Sequence, residues 1–292
     1  ENKRASGINV VNSKTNEFSR LNARIIFLCA STLGTTQIML NSKSETFPNG
    51  IANSSGVLGH YLMDHIFESG ANGVYPGFQD KYFRGRRPNG IYIPRYHNID
   101  KKDDRFLRGF GFQGGGKRPG WKRGRAIKGL GVDLKEQLKR PGPWTFSLGG
   151  FGEMLPDKRN KVWLDQKQKD KWGIPILNIE CVLRENELKM LKVMAEDAKE
   201  MLEASGMVDV TTYNNSAPPG LAIHEMGTAR MGRDPNTSVL NKHNQCHDVP
   251  NLFITDGSCM TSSACQNPSL TYMALTARAA DSAVEMLQEG RI

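Results

Sequence analysis

Apolar and polar positions along this chain follow three rhythms. The run Arg24-Ile-Ile-Phe-Leu-Cys-Ala30 is almost continuously apolar and reads as a buried strand. Before it, Ile8-Asn-Val-Val11 is a short strand candidate in an otherwise polar stretch. Residues Gly34 to Ser42 read as a helix with Ile38, Met39 and Leu40 packing inward. Strand, tight turn of small residues, helix is α/β architecture. Between 144 and 184 the period shortens to two. Trp144-Thr-Phe-Ser-Leu148, then Phe151 to Leu155 across a Gly-Gly, then Lys161-Val-Trp-Leu164 and Ile174 to Ile179 predict an antiparallel meander. Such a sheet suits a substrate-binding layer. From Glu185 to Ser205 the period lengthens again. Leu188, Leu191, Ala195, Ala198 and Leu202 share one helix face, and Gly206 ends it. A last helix carries Leu270, Met273, Ala277, Ala280, Val284 and Leu287 as one apolar stripe. Asn267 suits its N-cap and Pro268 its first position, where the missing N–H costs nothing. The fold class is therefore α/β plus α+β.

Composition narrows this picture. With 292 residues, 38% hydrophobic and 24% charged, the chain is of globular type, with room for one large domain or two modest ones. No apolar run reaches the ~20 residues that a membrane span requires. No signal peptide is visible, and the chain opens on Glu1 rather than Met, as a sequence starting in mid-protein would. Five cysteines without a Cys-x-x-Cys pair argue against a zinc site or a disulfide framework, and for buried free thiols. The net charge of +9 is unevenly placed, because residues 81–140 carry 18 Lys and Arg against 5 Asp and Glu. There Tyr82-Phe-Arg84-Gly-Arg86-Arg87 and Gly114-Gly-Gly-Lys117-Arg118-Pro-Gly-Trp121 mix basic, aromatic and glycine residues. The triple glycine predicts a mobile loop of the kind that closes over sites. Basic residues interleaved with aromatics also mark single-stranded nucleic-acid binders. No RNP, zinc-finger or helix-turn-helix pattern accompanies them here. A solvated basic loop, or one that attracts an anionic substrate, fits as well.

Candidate chemistry concentrates between Gly220 and Ala280. His224 sits in a Gly-rich turn, Asp256-Gly257-Ser258 ends a short apolar run, and Asn267-Pro268-Ser269 opens the last helix. The positive end of that helix, with its free N–H groups, is ready to face an anion. An imidazole upstream and a carboxamide at a helix mouth can frame a small reaction site. The same residues also suit an ordinary capped surface helix and a core histidine. A rival pair, His243 and His247, has the spacing to share a helix face as metal ligands. Their surroundings read as a polar turn, however, and no Glu general base falls between them. The Gly-x-Gly-x-x-Gly fingerprint of a dinucleotide-binding unit is missing, and Gly111-x-x-Gly114-Gly-Gly lacks the strand and helix around it.

Three ordered blocks resemble the C-terminal part of the glucose–methanol–choline (GMC) flavin oxidoreductases. They are His224-x-x-Gly227-Thr228-x-x-Met231-Gly232, Asn251-Leu-Phe-Ile-Thr-Asp256-Gly257-Ser258 and Asn267-Pro268-Ser-Leu-Thr271. The His/Asn pairing is most similar to the sugar- and pyranose-oxidising branch. Gly56-x-x-Gly59-His60-Tyr-Leu-Met-Asp64-His65 is similar to a further family segment, with His65 structural or beside the cofactor. One block departs, since the family prefers Gly where Ser31 stands and Ser-Pro where Thr35-Thr36 stand. The resemblance implies FAD as cofactor, a sugar or polyol as substrate, and hydride transfer to the flavin. It implies His224 as base, Asn267 as its partner on the substrate oxygen, and no catalytic metal. Asp256, Gly257, Asn267, Pro268 and Ser269 are the implied cofactor contacts. It further implies a remnant of an FAD-binding α/β domain, residues 1–75 and 216–292, with an antiparallel-sheet substrate domain, residues 76–215, inserted. The ADP-binding unit would lie upstream, in this or another chain. The electron acceptor is unidentified, and a dehydrogenase is favoured over an oxidase because nothing in the chain is dedicated to oxygen use. A non-catalytic subunit that binds a polyanion or carbohydrate is the alternative reading.

Overall fold

A computed structural model describes residues 3–81 and 90–292. The segment Tyr82-Phe-Arg84-Gly-Arg86-Arg87 lies outside the described residues. The chain forms two compact units, each built from separate stretches. One comprises residues up to His65, Met154–Val182 and Pro219–Ile292; the other comprises Ile66–Glu153 and Leu183–Pro218. The helices of the described residues are α1 (Thr32–Asn41), α2 (Gly131–Lys139), α3 (Glu185–Ala204) and α4 (Ser269–Gln288), with short 3-10 turns between.

In the first unit, the predicted strand is present but short, and it is not buried throughout: Ile26 is buried, Leu28 is half-buried and Phe27 is exposed. Ile26–Leu28 runs parallel to Leu252–Ile254, pairing Ile26 with Leu252 and Leu28 with Ile254. All three residues of the second strand are buried. The predicted strand at Ile8–Val11 is Gly7–Val11, in an antiparallel hairpin with Phe18–Asn22. Helix α1 follows the 26–28 strand, but Ile38 does not pack inward and is 42% exposed. Thr32, Thr35 and Thr36 take the buried face with Met39 and Leu40. Their hydroxyls are satisfied inside, for Thr36 Oγ1 donates to the Thr32 carbonyl at 2.7 Å and lies 2.6 Å from Thr228 Oγ1. Buried hydroxyls are tolerated when bonded in this way. Ser31, where the resemblance prefers glycine, has φ +64°. That is the left-handed region glycine enters at least cost.

Helix α4 corrects the sequence reading twice. Its buried face is Ala279, Ser282, Ala283 and Met286, whereas Leu270, Met273 and Val284 of the predicted stripe are exposed. The small residues let the helix lie close to Phe253, with Ile25, Leu287 and Ile292 around them. Asn267 is not the N-cap either. Pro268 occupies that position with a helical backbone, and Tyr272 N–H donates to its carbonyl at 3.1 Å.

The second unit is a sheet ordered Val208–Asn214, Ser69–Tyr75, Trp144–Glu153, Phe110–Lys117, Gly90–Ile93, with every one of these pairs antiparallel. Helix α3 packs on it through Met190, Leu191, Met194, Ala195, Ala198 and Leu202, while Leu188 is half exposed. Two loop expectations fail here. The predicted turn at Gly149-Gly150 is strand interior, since Trp144–Glu153 is continuous and paired on both sides. A Cβ at Gly150 would stand 2.7 Å from Met194 Sδ, so glycine there makes room for α3 rather than for a turn. The triple glycine is likewise strand, in Phe110–Lys117, and not a mobile loop. A Cβ at Gly114 would meet Leu148 Cδ2 at 2.6 Å and Ser147 O at 2.7 Å, so the neighbouring strand occupies that space. The meander also divides. Lys161–Lys169 and Pro175–Glu180 form their own antiparallel pair in the first unit.

Candidate active site

The site is built where the parallel pair ends. In an α/β layer, the turns after the carboxyl ends of parallel strands are the usual ligand side. Leu252–Ile254 leads into Asp256, whose Oδ1 accepts from Ser258 N–H at 2.9 Å and whose Oδ2 accepts from Thr35 Oγ1. Asp256 is thus engaged in capping the 3-10 turn Gly257–Cys259 and tying it to α1. Gly257 is wedged inside, because a Cβ there would stand 2.4 Å from Glu225 O and 2.5 Å from Thr32 Oγ1.

That tight approach brings the histidine block alongside. Gly227, Ala229 and Met231 N–H groups donate to Gly257, Ser258 and Cys259 carbonyls at 3.1, 2.8 and 3.0 Å. On its other side the block pairs with residues 59–63. Gly59 N–H donates to Thr228 O, and Met63 and Met226 exchange both bonds. Gly227 has φ +100°, and a Cβ on it would lie 2.2 Å from Tyr61 O. The His224-x-x-Gly227-Thr228 spacing therefore has a backbone cause: only glycine admits the chain between these two neighbours.

His224 and Asn267, 43 residues apart, stand together. His224 Nε2 lies 3.4 Å from Asn267 Nδ2. At that length the contact is weak, which leaves both polar atoms available to a third group. His224 Nδ1 is buried without a hydrogen-bond partner among the described residues. His65 is buried and sets its ring edge-on to His224, with centroids 4.9 Å apart at 84°. Asn267, Ser269 and Leu270 are exposed at the mouth of α4, and Pro268 is buried. The first-turn N–H groups of α4 have no intrahelical partner. Sequence reasoning missed Tyr272, whose OH would be 3.0 Å from a Cβ on Gly257. Burial pushes its phenol pKa up, helped by the nearby Cys259, Asp256, Glu225 and Asp64, so it stays a neutral hydroxyl. It also gave no role to the hydroxyls of Thr32 and Thr35, because threonines in a helix carry no periodic signal.

The rival histidine pair comes apart. Neither His243 nor His247 lies on a helix, so four-residue spacing does not align them. His247 Nε2 meets Ser238 Oγ at 3.0 Å, and burial lowers the His243 pKa.

Residues 156–276 match the family described as GMC oxidoreductase. The 2-methyl-1,2-propanediol dehydrogenase of Mycolicibacterium austroafricanum is 33% identical, over 96% of this chain and 51% of the relative. The fructose dehydrogenase large subunit of Gluconobacter japonicus is 26% identical, over 93% of this chain and 49% of the relative. The chain thus spans about half the length of these relatives. Among solved structures, a formate oxidase variant of Aspergillus oryzae, in a study of FAD modification, shares the fold. Its TM-score is 0.64 at 13% identity, covering 99% of this chain and 59% of that one. Members of the family are FAD-dependent. The chain belongs to the GMC oxidoreductase family.

Proposed function

We propose that this chain carries the alcohol-activating residues of an FAD-dependent enzyme that oxidises a CH–OH group of a sugar or polyol. The observation that carries the reading is the 3.4 Å meeting of His224 Nε2 and Asn267 Nδ2 beside the exposed mouth of α4. An imidazole has an unperturbed pKa of ~6.5, suited to taking a proton near neutral pH. His224 Nε2 takes the hydroxyl proton of the substrate, and Asn267 Nδ2 donates to the same oxygen and fixes its place. His65, packed edge-on, limits the tilt of the imidazole.

The residues present suit a flavin. The unpaired N–H groups and positive dipole end of α4 favour a group that gains negative charge on reduction. Leu270 and Met273, 78% and 68% exposed near that helix mouth, offer apolar surface for a flat ring system. When bound, FAD supplies the acceptor for the hydride that leaves the substrate carbon. Asp256, Gly257, Asn267, Pro268 and Ser269 would hold it, the first two through the turn they build. We favour a dehydrogenase over an oxidase, since the relatives named above at 33% and 26% identity are both dehydrogenases.

The test is His224→Ala in the complete flavin-loaded protein. Turnover with sugar or polyol substrates falls by about 10²–10⁴, the share of a general base, while flavin content holds. Unchanged turnover would refute the assignment.

A further inference from the structure

We infer that Asp64 is a positioning residue for His224, acting through the backbone of the loop that carries it. The inference rests on the function proposed above for His224. Asp64 is 1% exposed. Its Oδ2 accepts from Gly220 N–H at 2.7 Å and from Ala222 N–H at 3.2 Å. Its Oδ1 accepts from His224 N–H at 3.1 Å and from its own neighbour, His65 N–H, at 2.8 Å. A buried carboxylate is costly unless hydrogen bonds replace its water. Here four backbone donors do so, and bonds to an ionised acceptor are about twice as strong as neutral ones.

Among the loop's apolar side chains only Ala222 is buried. Leu221 is 58% and Ile223 is 76% exposed, so their side chains do not hold it by burial. Its backbone is also strained. Gly220 has φ +103°, which glycine adopts freely, but Ile223, a β-branched residue, has φ +58° and carries the strain. Such a conformation persists only when its surroundings dictate it. Three of the four donors to Asp64 come from this five-residue loop, 156 to 160 positions away along the chain. The carboxylate thus fixes the Cα of His224 while the adjacent His65 ring fixes its imidazole plane. Asp64 touches neither substrate nor cofactor in this scheme.

The test replaces Asp64→Asn in the flavin-loaded protein, which keeps the shape and removes acceptor capacity. A shift of about 1 Å in a reacting group can cost 100-fold. The variant therefore loses about 100-fold in kcat while KM and flavin content hold, and amide exchange at Gly220, Ala222 and His224 accelerates. A role in stability alone would lower the unfolding midpoint and leave kcat unchanged, which would overturn the inference. Exchange in the unaltered protein gives a second measurement should the variant fail to fold. Slow exchange at these three amides supports the anchor, and rates equal to those of exposed loop amides overturn it. His224→Ala run alongside separates the two readings. If that variant is inactive and Asp64→Asn is fully active, the positioning role fails alone. If His224→Ala is fully active, the proposed function fails, and amide exchange still judges the anchor.

Discussion

Gly257 occupies a position where no side chain fits. A Cβ there meets a carbonyl and a hydroxyl below 3 Å, and both belong to elements fixed by other bonds. Gly257→Ala is therefore expected to destabilise the protein by about 1–3 kcal/mol, the usual cost of overpacking. Gly120→Ala serves as control, with nothing within 4 Å and an ordinary negative φ, and should change stability by no more than about 0.5 kcal/mol. Urea unfolding of both variants measures the contrast. The thiols make a second prediction at this scale. Cys29 is exposed, while Cys246, Cys259 and Cys265 are buried. Burial, with the charge of Asp256 nearby, pushes the Cys259 pKa up to about 12. A thiol reagent at pH 8 should label Cys29 first and reach Cys259 only on unfolding, as peptide mapping would show. Residue identity was legible in the sequence for His224, Asn267 and Asp256. How they are held was not, because Thr35 reaches Asp256 across 221 positions of the chain and Asp64 reaches His224 across 160.

At the scale of elements, three of the four helices were read well in extent and less well in orientation, while α2, in the basic stretch, was not foreseen. The stretch 185–205 and the last helix are where periodicity puts them, within two or three residues. Orientation failed in α4 because two apolar stripes coexist there. Periodicity favours the bulky one, whereas close packing on Phe253 selects the small one. Glycine runs misled for a related reason, since a glycine that opens a turn and one that admits a neighbour look alike in sequence. Met194 makes the second case testable. It is fully buried, and its Sδ and Cε occupy the space beside Gly150 and Gly152. Met194→Ala leaves a cavity and should cost about 2–5 kcal/mol in chemical denaturation. The loop after Tyr96 carries a pH dependence. A hydrogen bond from Arg105 holds Asp103 down to about 2, and His97 Nδ1 lies 3.0 Å from its carboxylate. Unfolded, the group titrates near ~3.9. Its lowered folded pKa adds stability that is present above about pH 4 and is lost as pH falls toward about 2. Asp103→Asn should flatten the fall in unfolding midpoint across that window.

For the whole molecule, the net charge of +9 comes from residues 81–140, where 18 Lys and Arg face 5 Asp and Glu. Lys122, Arg125 and Lys128 are exposed, and α2 beside them buries none of its residues. Changing all three to Glu should lower the salt needed to elute the protein from a cation exchanger. The unfolding free energy should move by no more than about 0.5 kcal/mol for each such surface change. No helix of the described residues is long and apolar enough to cross a membrane. The sequence by itself determined the α/β start, the long helices, and the ordered blocks that mark the family. These rest on local periodicity and on the order of residue types along the chain. Only the tertiary structure decided which helix face is buried, that the glycine runs are strand, and that His224 meets Asn267 under the hold of Asp64. Those outcomes depend on contacts between residues far apart along the chain, 192 positions for Thr36 and Thr228 and 160 for Asp64 and His224, which no local pattern encodes.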